Sequence, residues 1–246
     1  MIDLEDLSCR KGKCFKKKRD DKMMKKVKAF VLNPFVWILI ICTGLEIWKD
    51  NNQLVLDYMR VHSMNVPILV FDGQYYRLVT ALFLHNGPTH LIGNMESLAI
   101  LSWIVWKLVS KKQYLVILLV SGVIGNLLAD IFVAYLFHLK ENFWPTFTSS
   151  GYLTGNIGFS TAIAGLFIFT LITFFTVYWR RLKEVKGRLI VMVIFVVLTI
   201  GDVIIGLQDS TGLTMTAYVH TGGGLVGGLL GFWYVMKERR HRLDHV

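Results

Sequence analysis

Long apolar runs separated by basic blocks set the pattern of this chain. Six of the runs are expected to be helical spans: Pro34–Trp48, His90–Val109, Tyr114–Phe137, Ile157–Trp179, Leu189–Ile205 and Thr214–Met236. At roughly 1.5 Å of rise per residue, the longer ones cross a hydrocarbon layer of about 30 Å. Pro34 suits the first turn of the opening helix, where its missing N–H costs nothing. The organisation expected is a basic cytosolic tail at 1–28, a six-span domain at 34–236 and a second basic cytosolic tail at 237–246. The longest connection is 49–89. Its second half, Tyr75 to Leu84, is apolar with few charges and is expected to lie partly in the membrane interface. No small-residue cleavage site follows the first run, so no removable signal peptide is expected.

Composition narrows the class. Of 246 residues, 54% are hydrophobic and 18% charged, with a mean hydropathy of +0.50. A soluble domain is nearer 25% charged. Disorder, a soluble enzyme and a disulfide scaffold are all poor fits. The net charge of +10 does not point to nucleic acid, because the basic residues sit in blocks between the apolar runs. One side of the six-span arrangement collects the tail, Lys107, Lys111, Lys112, Arg180, Arg181, Lys183, Lys186, Arg188, Lys237, Arg239, Arg240 and Arg242. The other keeps Lys49, Arg60, Arg77 and Lys140. This asymmetry puts both termini in the cytoplasm of a multi-pass cell-membrane protein. The run from Lys237 to Arg242 would face lipid headgroups. Cys9, Cys14 and Cys42 match no zinc spacing and are expected to be free thiols, with lipidation of Cys9 or Cys14 as the alternative.

Polar groups inside a bilayer are expensive and usually functional. His90 and Asn94 share one helix face at the start of the second span, and His85 precedes them across a Gly-Pro turn. Two donor-bearing side chains on one face can hold a developing anion. A structural role and a zinc site remain open for these histidines. Ser160 stands among small residues, Gly158, Ala162, Ala164 and Gly165, which let another helix come close. His220 opens a stripe in which Gly223 and Gly227, Gly224 and Gly228, and Gly227 and Gly231 are spaced for helix contact. If the fourth and sixth spans pack together, an imidazole can take the serine proton and return it to a leaving amine. The residues by themselves reach a serine hydrolase within a membrane and stop there.

The same three clusters resemble the rhomboid family of intramembrane serine proteases. The H-x4-H-x3-N pattern is met by His85, His90 and Asn94, G-x-S by Gly158 and Ser160, and H-x2-G-x3-G by His220, Gly223 and Gly227. Tyr76-Arg77, Thr80 and the Ser121–Gly125 segment also fit. The resemblance covers about residues 34–236. It implies an all-α, polytopic six-helix bundle with a Ser160–His220 dyad in a water-filled cavity open to the outer face. It assigns His90, Asn94 and the Ser160 N–H to the oxyanion, His85 to support of the loop, and Gly158 to close approach at the nucleophile. Substrates would be transmembrane segments of other proteins, cut near the outer boundary, with no metal or cofactor and no nucleic-acid partner. Membrane lipids would be the remaining partners.

Three positions depart from the family pattern. Thr161 replaces a glycine and is expected to narrow the cavity. Ala164 replaces an aromatic that packs on the histidine. Trp106 replaces a glutamate, with little effect expected on chemistry. Asp202 orienting His220 is the alternative to a dyad; otherwise Asp202 and Asp130 are expected near the outer surface, facing water. Glu46 and Glu96 are read as boundary or packing residues. Two rival functions are a catalytically silent rhomboid-like protein that binds transmembrane helices, and a transporter or channel.

Overall fold

The computed structural model describes residues 23–24, 33–138, 155–178, 187–194 and 215–243. The expected tail residues 1–22, 25–28 and 244–246, the fifth span beyond residue 194, Asp202, Lys140 and the basic residues 180–186 lie outside the described residues. Among the described residues the elements are helices: α1 Pro34–Asp50, α2 Gln53–Ser63, α3 Pro67–Phe71, α4 Arg77–Phe83, α5 Pro88–Val105, α6 Lys111–His138, α7 Ser160–Tyr178 and α8 Met215–Leu243. A helical stretch also occupies 187–194. The only extended pairing among them is an isolated bridge between Asn65 and Asn156.

Local chemistry explains the boundaries. The Asn33 side chain accepts a hydrogen bond from Phe35 N at 3.1 Å, and Pro34 takes the first helical position of α1, both signals for a helix start. Pro88 plays the same part for α5. Between Lys111 and Tyr135, α6 is long and apolar enough by itself to cross a membrane. At 28 residues it extends about 42 Å at roughly 1.5 Å per residue. Hydroxyls in the apolar helices bond back to their own turns: Thr170 to Leu166 O at 2.6 Å and Thr173 to Phe169 O at 2.8 Å. Such bonds satisfy a polar group where no water competes.

The helices α6, α7 and α8 form the centre. In hydrocarbon, helices gain nothing from leaving lipid for each other, so close van der Waals contact must hold them. Glycines supply it. A methyl group on Gly223 would strike the Thr161 carbonyl, and one on Gly227 the Gly165 carbonyl. A methyl on Gly125 would lie 2.6 Å from the Gly223 backbone. Phe159, Leu166, Phe169 and Phe174 of the α7 region pack with Leu98 and Leu101 of α5 and Leu118 of α6 in one buried cluster. Many large apolar side chains face outward, including Trp37, Ile124, Ile131, Leu229 and Phe232. On a helix apolar all round, this is the surface expected to meet lipid.

One part of the sequence reading changes here, at Asp130, and the Tyr75–Leu84 segment gains detail. Arg77, Leu78, Ala81 and Leu82 are buried, and Leu82 joins the core cluster. Arg77 is drawn in because its guanidinium donates to Met64 O at 2.9 Å, Val61 O at 2.8 Å and Gln74 Oε1 at 2.7 Å. Thr80 adds a bond to Ser63 O at 3.0 Å. Asp130 does not face water: it is fully buried and accepts from Asn65 Nδ2 at 2.9 Å. A long connection folded back on α6 covers it, which the local sequence around Asp130 does not reveal.

Candidate active site

The nucleophile candidate sits at a helix start, not inside one. The expected fourth span began at Ile157; α7 begins at Ser160. The reason is Gly158, whose φ of +125° is open to glycine and costly for other residues. Its N–H bonds to Ala81 O at 2.9 Å, and the neighbouring Asn156 pairs with Asn65. The segment before Ser160 is therefore pinned to the first connection. As the first helical residue, Ser160 presents an N–H with no partner inside its own helix.

A cavity of about 1090 Å³ lies between α5, α6, α7 and α8. Ser160, His220, His90 and Asn94 all line it. Four residues separated by up to 130 positions thus share one wall system. Thr89, Gly93 and Ser97 add polar and small surface, and Ile163, Phe167 and Leu225 add apolar surface. Ala164 also faces the cavity. Thr161 does not narrow it: the side chain is buried toward α6, with Oγ1 donating to Asn126 Oδ1 at 2.9 Å. One residue after Ser160 on a helix, it necessarily points about 100° away.

Gly158 closes the gap between the two sides of the site. A methyl there would lie 2.8 Å from His90 Cε1, 3.0 Å from His90 Nε2 and 3.3 Å from Asn94 Nδ2. The imidazole and the amide therefore converge on the turn that carries Ser160. His90 Nδ1 accepts from Asn86 N–H at 3.2 Å. That bond leaves Nε2 to carry the proton of a neutral ring, so Nε2 is a donor. Asn94 Nδ2 is buried and has no hydrogen-bond partner among the described residues.

His85 lies outside the cavity, buried behind His90, with the two rings edge to face at 5.3 Å. Burial pushes its imidazole down to about 4, and the neighbouring His90 adds to the shift, against an opposing contribution from the Phe83 backbone. Among the described residues, no group of three or more His, Cys, Asp or Glu side chains is placed to hold a metal ion.

Sequence reasoning passed over a polar network beside the site. Asn126 accepts from Thr161, lies 3.4 Å from the Asn156 amide, and donates to Leu78 O at 3.2 Å. Asn126 was legible only as a polar residue in a span. Lys49 and Glu46 were also underrated: they form a buried ion pair at 2.8 Å, and Lys49 reaches the His85 carbonyl at 3.0 Å. Glu96, by contrast, is exposed on α5.

A helical bundle that sets a serine, two histidines and an asparagine around one cavity defines a class, and the comparisons name it. The profile of the Rhomboid domain matches residues 72–237, well over half of the chain, and the protein belongs to the rhomboid family. It is accordingly an all-α membrane protein. Over 174 residues it is 29% identical to a Bacillus subtilis (strain 168) protein named "Putative rhomboid protease YdcA", covering 70% of this chain and 73% of that one. Over 180 residues it is 21% identical to "RHOMBOID-like protein 1" of Arabidopsis thaliana, covering 73% of this chain but 40% of the plant protein.

Proposed function

We propose that this protein is an intramembrane serine endopeptidase that cuts transmembrane segments of other membrane proteins near the outer boundary. In this reading it crosses the cell membrane six times, with both termini cytoplasmic, as the distribution of Lys and Arg supports. Ser160 Oγ attacks the scissile carbonyl carbon. The His220 imidazole takes the hydroxyl proton and then delivers it to the leaving amine. The negative charge that develops on the carbonyl oxygen is met by His90 Nε2–H, an Asn94 amide hydrogen and the Ser160 N–H. Water entering the cavity hydrolyses the acyl-enzyme, with His220 acting as base. Gly158 keeps the nucleophile turn against His90, and His85 backs the His90 ring.

The observation that carries this reading is that Ser160, His220, His90 and Asn94 line one cavity, with the His90 ring and the Asn94 amide both against the Gly158 turn that leads into Ser160. A fluorophosphonate is expected to modify Ser160 in the membrane-embedded protein. Ser160→Ala and His220→Ala should each lower cleavage of a membrane substrate by roughly 10⁴-fold or more, with unchanged thermal unfolding. Ordinary cleavage by Ser160→Ala would refute the assignment. Helix binding without labelling or cleavage would favour the silent rhomboid-like alternative.

A further inference from the structure

The first helix takes no part in lining the cavity, yet it reaches the site through one peptide unit. Lys49, in the last turn of α1, is buried with its neighbour Glu46. Its ammonium group donates to Glu46 Oε1 at 2.8 Å and to the His85 carbonyl at 3.0 Å, and lies 3.3 Å from Asp50 Oδ1. The His85 carbonyl and the Asn86 N–H belong to the same amide plane. That N–H donates to His90 Nδ1 at 3.2 Å. An amide is planar, with its carbonyl and N–H pointing in opposite directions. Fixing the oxygen therefore fixes the direction of the hydrogen.

We propose that Lys49 is a positioning residue for the oxyanion site, setting the orientation and tautomer of His90 through the His85–Asn86 peptide. This rests on the protease reading above. Three physical arguments converge. A cation on the carbonyl oxygen polarises the amide, which strengthens its N–H as a donor. That donor holds the ring proton on Nε2, the atom facing the Gly158 turn. A buried ion pair is also a poor way to gain stability, since apolar residues of the same volume often do as well or better. Glu46 and Lys49 could pack α1 as leucine and methionine; only a donor can grip the carbonyl, and a charged one grips it hardest. Glu46 offsets the cost of burying the ammonium group and aims it.

Two measurements test this. The first is the rate of fluorophosphonate labelling at Ser160, whose transition state places a P–O oxygen among the same donors. Lys49→Met should slow labelling about 10-fold, less than the 10²–10³-fold typical of losing an oxyanion donor outright. Lys49→Arg should retain most of the rate. Glu46→Gln combined with Lys49→Met leaves no unpaired buried charge and should be as slow as Lys49→Met, which guards against a simple folding failure. In a His90→Ala background, Lys49→Met should add nothing. The second is the ¹⁵N shift of the His90 ring in Ser160→Ala protein, which needs no activity. Nδ1 should read as an unprotonated acceptor, and Lys49→Met should move it toward tautomer exchange. Unchanged labelling and ring shifts in the double variant, or an equal slowing with and without His90, would overturn the proposal. If the ring shifts respond as expected while wild-type protein is never labelled at Ser160, the protease reading fails and the Lys49 linkage stands.

Discussion

The two sides of the cavity are held by different chemistry. On one side, α6, α7 and α8 meet glycine to backbone, with Gly223 against Thr161 and Gly227 against Gly165. On the other, the end of α1 and the connection that leads to α5 are tied by hydrogen bonds and charge. There Arg77 grips Val61 and Met64, Asn65 pairs with Asn156, and Lys49 holds His85. Backbone contact is short-ranged and has no adjustable part, which suits two helices that carry Ser160 and His220 to the wall of one cavity. Polar links are directional, so they can orient an imidazole or an amide by angle as well as by position. The comparison teaches that a membrane protein can fix the helices of its proposed dyad by removing side chains, while aiming the groups of its proposed oxyanion site by adding polar ones.

The sharpest test of the glycine side is a change of one register step. Gly223→Ala or Gly227→Ala drives a methyl into a backbone carbonyl that cannot swing away. Each should cost about 3 kcal/mol or more, read as a large fall in thermal unfolding temperature in detergent. Gly224→Ala meets only Ile168 Cγ1 at 3.4 Å, an ordinary contact, and should alter stability by about 1 kcal/mol or less. Equal effects at the two registers would mean that the helices are not held by this seam.

The polar side should yield smaller losses. Thr161→Val keeps the shape but removes the hydroxyl that donates to Asn126. A loss of about 1–2 kcal/mol is expected, measurable as a shift of the unfolding midpoint. A neutral result would show that Asn126 is held well enough by Leu78 and Asn156 alone.

The last effect, small near neutrality, is a dependence on acid. His85 is neutral in the folded protein, with its value lowered to about 4 from an ordinary 6.5. Below pH 6.5 the unfolded chain therefore binds the proton more readily than the folded one. Stability should fall as pH drops from 6.5 toward 4, and His85 should contribute no pH dependence above that window. Comparing the unfolding midpoint of wild type and His85→Leu across that range isolates the contribution; parallel curves would remove it.

Much of this could be read along the chain. Apolar runs located α1, α5, α6 and α7 within a few residues, because the hydrocarbon layer selects for length and apolarity before any packing occurs; the last helix starts where expected but continues to Leu243, through the basic run read as a tail. The residues that line the cavity were legible for a related reason. Ser160, His220, His90 and Asn94 are polar groups where polarity is costly, and their spacing resembled a known pattern. Thr161 misled, since its place next to Ser160 suggested the cavity, and helix rotation turned it to α6. Asp130 misled because its cover comes from Asn65, far away in the chain.

The sequence alone determined that this is a membrane protein and which few residues could carry chemistry, since hydropathy and the scarcity of intramembrane polar groups are local properties. Only the tertiary structure decided which glycine register meets backbone, that Gly158 turns the chain into the Ser160 helix against His90, and that Lys49 of α1 reaches the His85 peptide. These depend on distances between segments remote in the chain. Such distances follow from steric fit and hydrogen-bond direction, which no local pattern encodes.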